Sequence, residues 1–191
     1  MPLRIEPLGG SHDRAAFSCG SAPLDRYLQT QASQAVEKKL AAVFVLTEDG
    51  KTILGYYTLS SYVLKLTDIP EAIAKKLTKM GDVPATLLGR LARSSGVKGK
   101  GFGPILLADA LKRAFLGSAD IASWAVVVDA KDQKAIDFYK ENGFIELPNT
   151  PNRLFLPMSS IRQLFEQDNA KAAAPVVDVH AQSKLPPAPS S

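Results

Sequence analysis

The sequence predicts a mixed α/β fold in a single domain, and three observations carry that prediction. Strand-like runs separated by turn residues fill much of the first half. In the second half, strand-like and helix-like segments alternate, the pattern of βαβ-type pairing. Between a predicted strand and a predicted helix lies a glycine-rich stretch, Lys98-Gly99-Lys100-Gly101-Phe102-Gly103-Pro104. With 191 residues, 46% of them apolar, the chain is long enough to bury one sizeable core.

Taken in order, Leu24, Tyr27, Leu28, Gln31, Ala35 and Val36 stand at helical spacing, with Ser21 as N-cap and Pro23 in the first turn. Ala42 to Thr47 and Ile53 to Leu59 read as strands joined through Asp49-Gly50, a tight-turn signal, and so predict a β-hairpin. Asp68-Ile69-Pro70-Glu71 predicts a capping box opening a short helix before Ile73 and Leu77. Thr86 to Arg93 reads as a strand, Pro104 to Leu116 as a helix, Ala125 to Asp129 as a strand and Gln133 to Glu141 as a helix stopped by Asn142-Gly143. Arg153 to Met158 supplies a last strand. Residues 1–165 form the predicted domain. Residues 166–191, 10 of 26 being Ala or Pro and none aromatic, read as a flexible tail.

The formal charge of +4 suits an anionic ligand or RNA without requiring one. Cys19 is the sole cysteine, so no intramolecular disulfide forms, and Cys19 with His12 and His180 lacks zinc-ligand spacing; no metal is expected. The first residues, with Pro2, Glu6 and Pro7, lack the apolar stretch of a secretory signal, and the longest apolar run, Leu40 to Leu46, is far short of the roughly 18 residues of a membrane helix. A cytoplasmic protein without membrane association is expected.

Alternate glycines at 99, 101 and 103 let the backbone turn its N–H groups toward an anion, while the following helix points its positive end there. Pro104 suits the first helical position, where a missing N–H costs nothing. A phosphate-bearing ligand is expected at this loop. The spacing is neither the nucleotide-binding G-x-x-x-x-G-K-[ST] nor the dinucleotide G-x-G-x-x-G.

Leu88-Gly89-Arg90-Leu91-Ala92-Arg93 followed by Lys98 to Gly103 resembles the acetyl-CoA loop of the GNAT N-acetyltransferases, [QR]-x-x-G-x-[GA], with Lys98 replacing the first residue. Asp129 to Phe144 is similar to that family's second cofactor-facing helix. Phe17-Ser18-Cys19-Gly20, Leu24 to Leu28, Val45 to Glu48, Gly55 to Ser60 and Leu87 to Ala92 extend the likeness across most of residues 3–165, and it is greatest to the GNAT toxins of bacterial toxin–antitoxin systems. The resemblance implies an acetyl-CoA co-substrate, the α-amine of an aminoacyl-tRNA as acceptor, and a DNA-binding antitoxin as partner; a homodimer is open to it. It further implies that backbone groups of Leu91 and Arg93 meet the pantetheine arm, that the Ala92 region polarises the thioester carbonyl, and that Lys98, Gly99, Lys100, Gly101, Phe102, Gly103 and Pro104 hold the pyrophosphate. Asp132 stands where many relatives have Asn and offers a polar contact. Phe138 packs either under the cofactor or in the core.

Tyr139 is the catalytic candidate. Aminolysis of a thioester expels a thiolate, and a phenol beside the sulfur supplies a proton to it. A strong general base is missing: His12 lies near the terminus, His180 in the tail, and Thr86 to Arg93 holds no carboxylate. An α-amine of pKa about 7.7–8.0 needs less help than a lysine of about 10.4, which favours the aminoacyl acceptor. Arg90, Lys38 and Lys39 are candidates for an RNA phosphate, the lysine pair equally suiting a helix C-terminus. Acetylation of a small amine or protein, and a silent acetyl-CoA-binding module, are the alternatives.

Overall fold

The structure, a computed structural model, describes residues 2–77 and 81–173. A seven-stranded sheet runs in the order β1-β2-β3-β4-β5-β7-β6. Its strands are β1 (Arg4–Pro7), β2 (Ala42–Thr47), β3 (Gly55–Lys65), β4 (Asp82–Arg93), β5 (Ala125–Asp129), β6 (Ile145–Glu146) and β7 (Arg153–Pro157). Every neighbouring pair is antiparallel except β4 with β5. The helices are α1 (Ala22–Arg26), α2 (Ala32–Glu37), α3 (Glu71–Ala74), α4 (Phe102–Gly117), α5 (Gln133–Glu141) and α6 (Met158–Ala173).

Two cores clothe the sheet where it matters for function. Leu106, Leu107, Ala110 and Leu111 of α4 and Ile136 and Tyr139 of α5 pack with Leu88, Val126 and Val128 of the strands. Leu28 and Ala32 pack with Val43, Val45, Tyr56 and Ala92 in the second. Leu106 is wholly buried, and Gly55 of β3 makes room for it: a Cβ there would lie 2.7 Å from Leu106 Cδ1 and 3.0 Å from the Ala92 carbonyl. Among the described residues no helix is long and apolar enough to cross a membrane.

The strands and helices of the second half match the pattern read from the sequence, and several local readings are corrected. The hairpin forms, but its connection spans Glu48 to Leu54 rather than a two-residue turn. Asp49 accepts from the amides of Lys51 and Thr52 and from the Thr52 hydroxyl, which holds its carboxyl below the usual carboxylate range and ties the longer loop together. No capping box opens α3: Asp68 belongs to a short 3-10 turn, Leu66–Asp68, and Pro70 is the N-cap. Pro104 is the third residue of α4, whose N-cap is Gly101; its missing N–H is still one of the first-turn orphans. Ser21 caps α1 without a side-chain bond. Met158 opens α6 rather than ending the last strand, and residues 166–173, assigned by composition to the tail, continue that helix. Residues 174–191, His180 among them, lie outside the described residues.

Lys39 ends the first helical segment in the left-handed region, φ 58°. The amides of Lys39 and Leu40 donate to the carbonyls of Val36 and Ala35, the paired bonds of a Schellman motif in which glycine usually fills this place. Lys39→Gly is therefore expected to stabilise the fold by about 0.5–1 kcal/mol after glycine's own entropy cost. Calorimetric melting would register this as a rise of a few degrees; no rise would show that the strain is already relaxed.

Candidate active site

The parallel pairing of β4 with β5 is short. Ala85 to Leu88 pair with Ala125 to Val128, and β4 then runs on through Arg93 without a partner on that side. A gap therefore opens in the middle of the sheet. Beyond it, Ser94 N–H donates to the Leu54 carbonyl at 2.8 Å. Because backbone groups alternate along a strand, Ala92 and Arg90 also turn toward β3, and Leu91 and Arg93 present their N–H and C=O groups to the gap.

A β-bulge sets this phase. Thr58 pairs with Arg90 and Leu59 with Leu88, so Gly89 is the extra residue. Leu88 and Leu91 consequently face the same core although three residues apart, while Ala92 faces the other.

The cleft at the gap has a volume of about 540 Å³. Its walls are the strand end Leu91-Ala92-Arg93, the glycine loop, and the first turns of α4 and α5. Gly99 and Gly101 sit at φ +83° and +74°, conformations that side chains with a Cβ rarely adopt. The amides of Lys98 and Lys100 are spent on the carbonyls of Ser95 and Val97. Those of Gly99, Gly101, Phe102 and Gly103 have no acceptor among the described residues, and they stand at the N-terminus of a sixteen-residue helix. Gly103 keeps close quarters with the Phe138 ring, 3.9 Å from where a Cβ would be.

Tyr139 lines this cleft from α5. Its side chain is buried, and burial pushes the phenol up to about 12. None of the hydrogen bonds among the described residues uses its hydroxyl. The ring packs edge-on against Phe138 and tilted against Phe144, with each centroid 5.3 Å away. Phe138 packs partly buried on the core, as one of its two sequence readings has it, and it also lines the cleft.

The sequence-predicted residues divide. Leu91, Ala92, Arg93, Gly99, Gly101, Phe102, Gly103, Pro104, Asp132, Phe138 and Tyr139 all line the one cleft. Lys98 and Lys100 are exposed and do not line it; the loop turns them outward. The cleft's cations are instead Arg93, Lys131 and Lys134, the lysines standing either side of the α5 start. Within the Ala92 region, the Ala92 amide itself is turned to β3 and its neighbours' amides face the gap. Asp132 is the N-cap of α5: its carboxylate accepts from the Ala135 amide at 2.8 Å. Cys19 and Leu24 also line the cleft, a placement that the sequence reading did not assign them. The Cys19 thiol is pushed up to about 11 by burial and by Asp25, so it stays protonated.

Asp132→Asn is expected to keep stability, since Asn caps as well as Asp, and to tighten binding of an anionic ligand by removing a negative charge from the cleft. Asp132→Ala should lose about 1 kcal/mol of stability. Thermal melts and acetyl-CoA titrations of the two variants separate the roles; a weaker Asn variant would make the carboxylate a direct contact.

His12 serves structure. It is buried, its Nδ1 accepting from the Gly9 amide at 2.9 Å and its Nε2 lying 3.0 Å from Glu6 Oε1. Arg90 and Lys38 come together elsewhere, in a second cavity on the α1–α2 side, whereas Lys39 lines neither.

A mixed sheet parted between two parallel strands, with free strand amides, an anion-ready helix start and an unpartnered phenol at the parting, defines an acyl-CoA-dependent acyltransferase. The chain belongs to the acetyltransferase (GNAT) family, whose model matches residues 12–144. It is 35% identical to a probable toxin TacT of Sinorhizobium fredii, with 84% of this chain and 93% of that protein covered. It is 32% identical to a tRNA-acetylating toxin of Mycobacterium tuberculosis, over 85% of this chain and 95% of that one. AtaT complexed with acetyl-methionyl-tRNAfMet superposes with a TM-score of 0.80 at 31% identity, covering 86% of this chain and 99% of AtaT. A tyrosine-to-phenylalanine mutant of AtaT bound to the C-terminus of the antitoxin AtaR and acetyl-CoA gives 0.75 at 30% identity, covering 87% and 100%.

Proposed function

We propose that this chain transfers the acetyl group of acetyl-CoA to the α-amine of an amino acid esterified to tRNA, producing a species that cannot accept a growing peptide. The observation that carries the reading is the parted sheet: free backbone groups of Leu91 and Arg93, open loop amides and the Tyr139 hydroxyl share one cleft. The residues fit the donor. Amides of Gly99, Gly101, Phe102 and Gly103 suit a pyrophosphate, and strand groups of Leu91 and Arg93 suit the amides of a pantetheine arm. When bound, acetyl-CoA supplies a thioester, an acyl group already activated for aminolysis.

Tyr139 donates its proton to the departing sulfur as the carbon–sulfur bond breaks and the new carbon–nitrogen bond forms. The proton lost from the amine passes to water and water returns one to the Tyr139 phenolate, because Asp132, the one carboxylate lining the cleft among the described residues, is committed to capping α5. An α-amine, already partly neutral near pH 7, matches a cleft that lacks a strong base. The names of the relatives and the acetylated tRNA bound to AtaT support the same acceptor. On the same grounds the partner is a DNA-binding antitoxin and the setting cytoplasmic, and the catalytic unit is residues 1–165 extended through the rest of α6 to residue 173.

The test offers the purified chain labelled acetyl-CoA with charged tRNA, uncharged tRNA, free amino acids and lysine-rich protein in parallel. Mild alkali should then release labelled acetyl-amino acid from the charged sample only. Label on protein lysines or small amines, with charged tRNA inert, would replace this acceptor and leave the acetyltransferase intact.

A further inference from the structure

The gap in the sheet has a second rim, on β5. Beyond Leu88 and Val128, the last parallel pair, β5 continues to Asp129, which still pairs with Arg153 of β7. Side chains alternate along a strand, so Asp129 shares the face of Val127, and Arg153 that of Phe155. Val127 and Phe155 pack with Leu87 and Tyr62 on the side of the sheet away from α4 and α5. Asp129 therefore stands at the gap on the face opposite those two helices. In register, the β4 residue across from it is Gly89, which has no side chain to close the opening.

The Asp129 carboxylate is held in one orientation. Arg153 meets it with two N–H groups, Nε donating to Oδ1 at 2.6 Å and Nη2 to Oδ2 at 3.0 Å. The third nitrogen, Nη1, donates to the Tyr62 hydroxyl at 2.6 Å, and the guanidinium carbon lies 5.4 Å from the Tyr62 ring centroid. Side chains from three strands are thus ordered around one carboxylate. Stability does not call for this, since β5 and β7 are already laddered over five residue pairs and an ion pair half-exposed at Asp129 contributes little. Arg153 occupies the β7 side of the carboxylate, leaving the side toward β4 and the gap. Each oxygen keeps a lone pair there, and among the described residues no further donor reaches it.

The core beneath α4 and α5 fills their side of the sheet, so an amine approaches a thioester in the gap from the face of Asp129. Near pH 7 most of an α-amine of pKa about 7.7–8.0 is still ammonium. We propose that Asp129 binds the α-ammonium of the acceptor amino acid as it enters the gap, with Arg153 and Tyr62 as the positioning residues that aim the carboxylate. The inference rests on the proposed acetylation of aminoacyl-tRNA and adds the group that admits its amine. Paired with a guanidinium, Asp129 is a poor base; the proton still passes to water, leaving the neutral amine beside the thioester carbon. Acetylation replaces the ammonium by an amide, which keeps one N–H but no charge and is held less tightly. The same contact therefore admits a free amine and releases the acylated one.

Two measurements on the full chain test this. First, binding of charged tRNA and of N-acetylated charged tRNA is compared by filter retention without acetyl-CoA. The wild type should prefer the free amine about 10-fold, the loss expected when one charge-assisted bond is missing, and Asp129→Asn should bind the two alike. Second, Asp129→Asn should raise KM for charged tRNA about 10-fold, with kcat within a few-fold and acetyl-CoA affinity unchanged. Glu71→Gln, the same change of charge on α3, should match the wild type. Removing a negative charge by itself favours a polyanion, so a raised KM in Asp129→Asn cannot come from net charge. An undiminished preference for the free amine in that variant, or an unchanged KM, would overturn the proposal while tRNA acetylation stands. If the wild type acetylates small amines and leaves charged tRNA untouched, the acceptor reading fails, and a raised KM for those amines in Asp129→Asn still upholds the ammonium site.

Discussion

Tyr139→Phe should slow turnover by about 10²–10⁴-fold, the usual loss when a general acid is removed, with fold and acetyl-CoA affinity unchanged. Only one hydroxyl disappears, and that hydroxyl bonds no other described residue, so its loss strands no buried partner. The ring stays seated between Phe138 and Phe144. Burial raises the phenol to about 12, so below that pH the proton is present and available. An acid with a pKa raised in this direction leaves no alkaline limb in the rate until the pH approaches that value. The rising limb belongs to the acceptor, whose amine becomes nucleophilic through about pH 7.7–8.0. Single-turnover rates between pH 6 and 9 should therefore climb and level for wild type, and the variant should trace the same shape at lower amplitude. Near-normal rates in the variant would assign the proton to water.

How much of the site is legible in the sequence depends on whether a feature is local. The glycine loop, the α5 start and Tyr139 are contiguous motifs, and they converge as read because the strand-to-helix connections of neighbouring parallel strands end at the same edge of the sheet. The bulge at Gly89 is not legible: it arises from pairing with β3, and it decides that Leu91 rather than Arg90 shares the face of Leu88. Tyr27 reads as an ordinary helical core position, and nothing in the apolar spacing announces the π-turn, Tyr27–Gln31, that it opens. Nearness in sequence credits Lys98 and Lys100 to the anion, yet positive φ at Gly99 and Gly101 turns the lysines outward and the amides inward. Lys131 and Lys134 carry a weak signal, two cations astride a capping aspartate, that only the shared cleft gives meaning.

Gly101→Val should weaken acetyl-CoA binding by about 10²-fold or more while costing the fold no more than about 1–3 kcal/mol. The reason is conformational, since a Cβ at Gly101 would meet no heavy atom within 4 Å. What fails is φ +74°, which a β-branched residue all but refuses. As the N-cap of α4, Gly101 sets the direction of the amides of Phe102 and Gly103, and a relaxed backbone turns them from the cleft. Each charge-assisted bond to a phosphate contributes about 1.5–3 kcal/mol, so two lost bonds reach the expected factor. Gly101→Asn, whose side chain tolerates the left-handed region, should retain most of the affinity and so separates strain from bulk. Titration calorimetry of both variants reads the result directly. Unchanged affinity in a folded Val variant would take the pyrophosphate away from this loop and leave Arg93, Lys131 and Lys134 as its cationic hold in the cleft among the described residues.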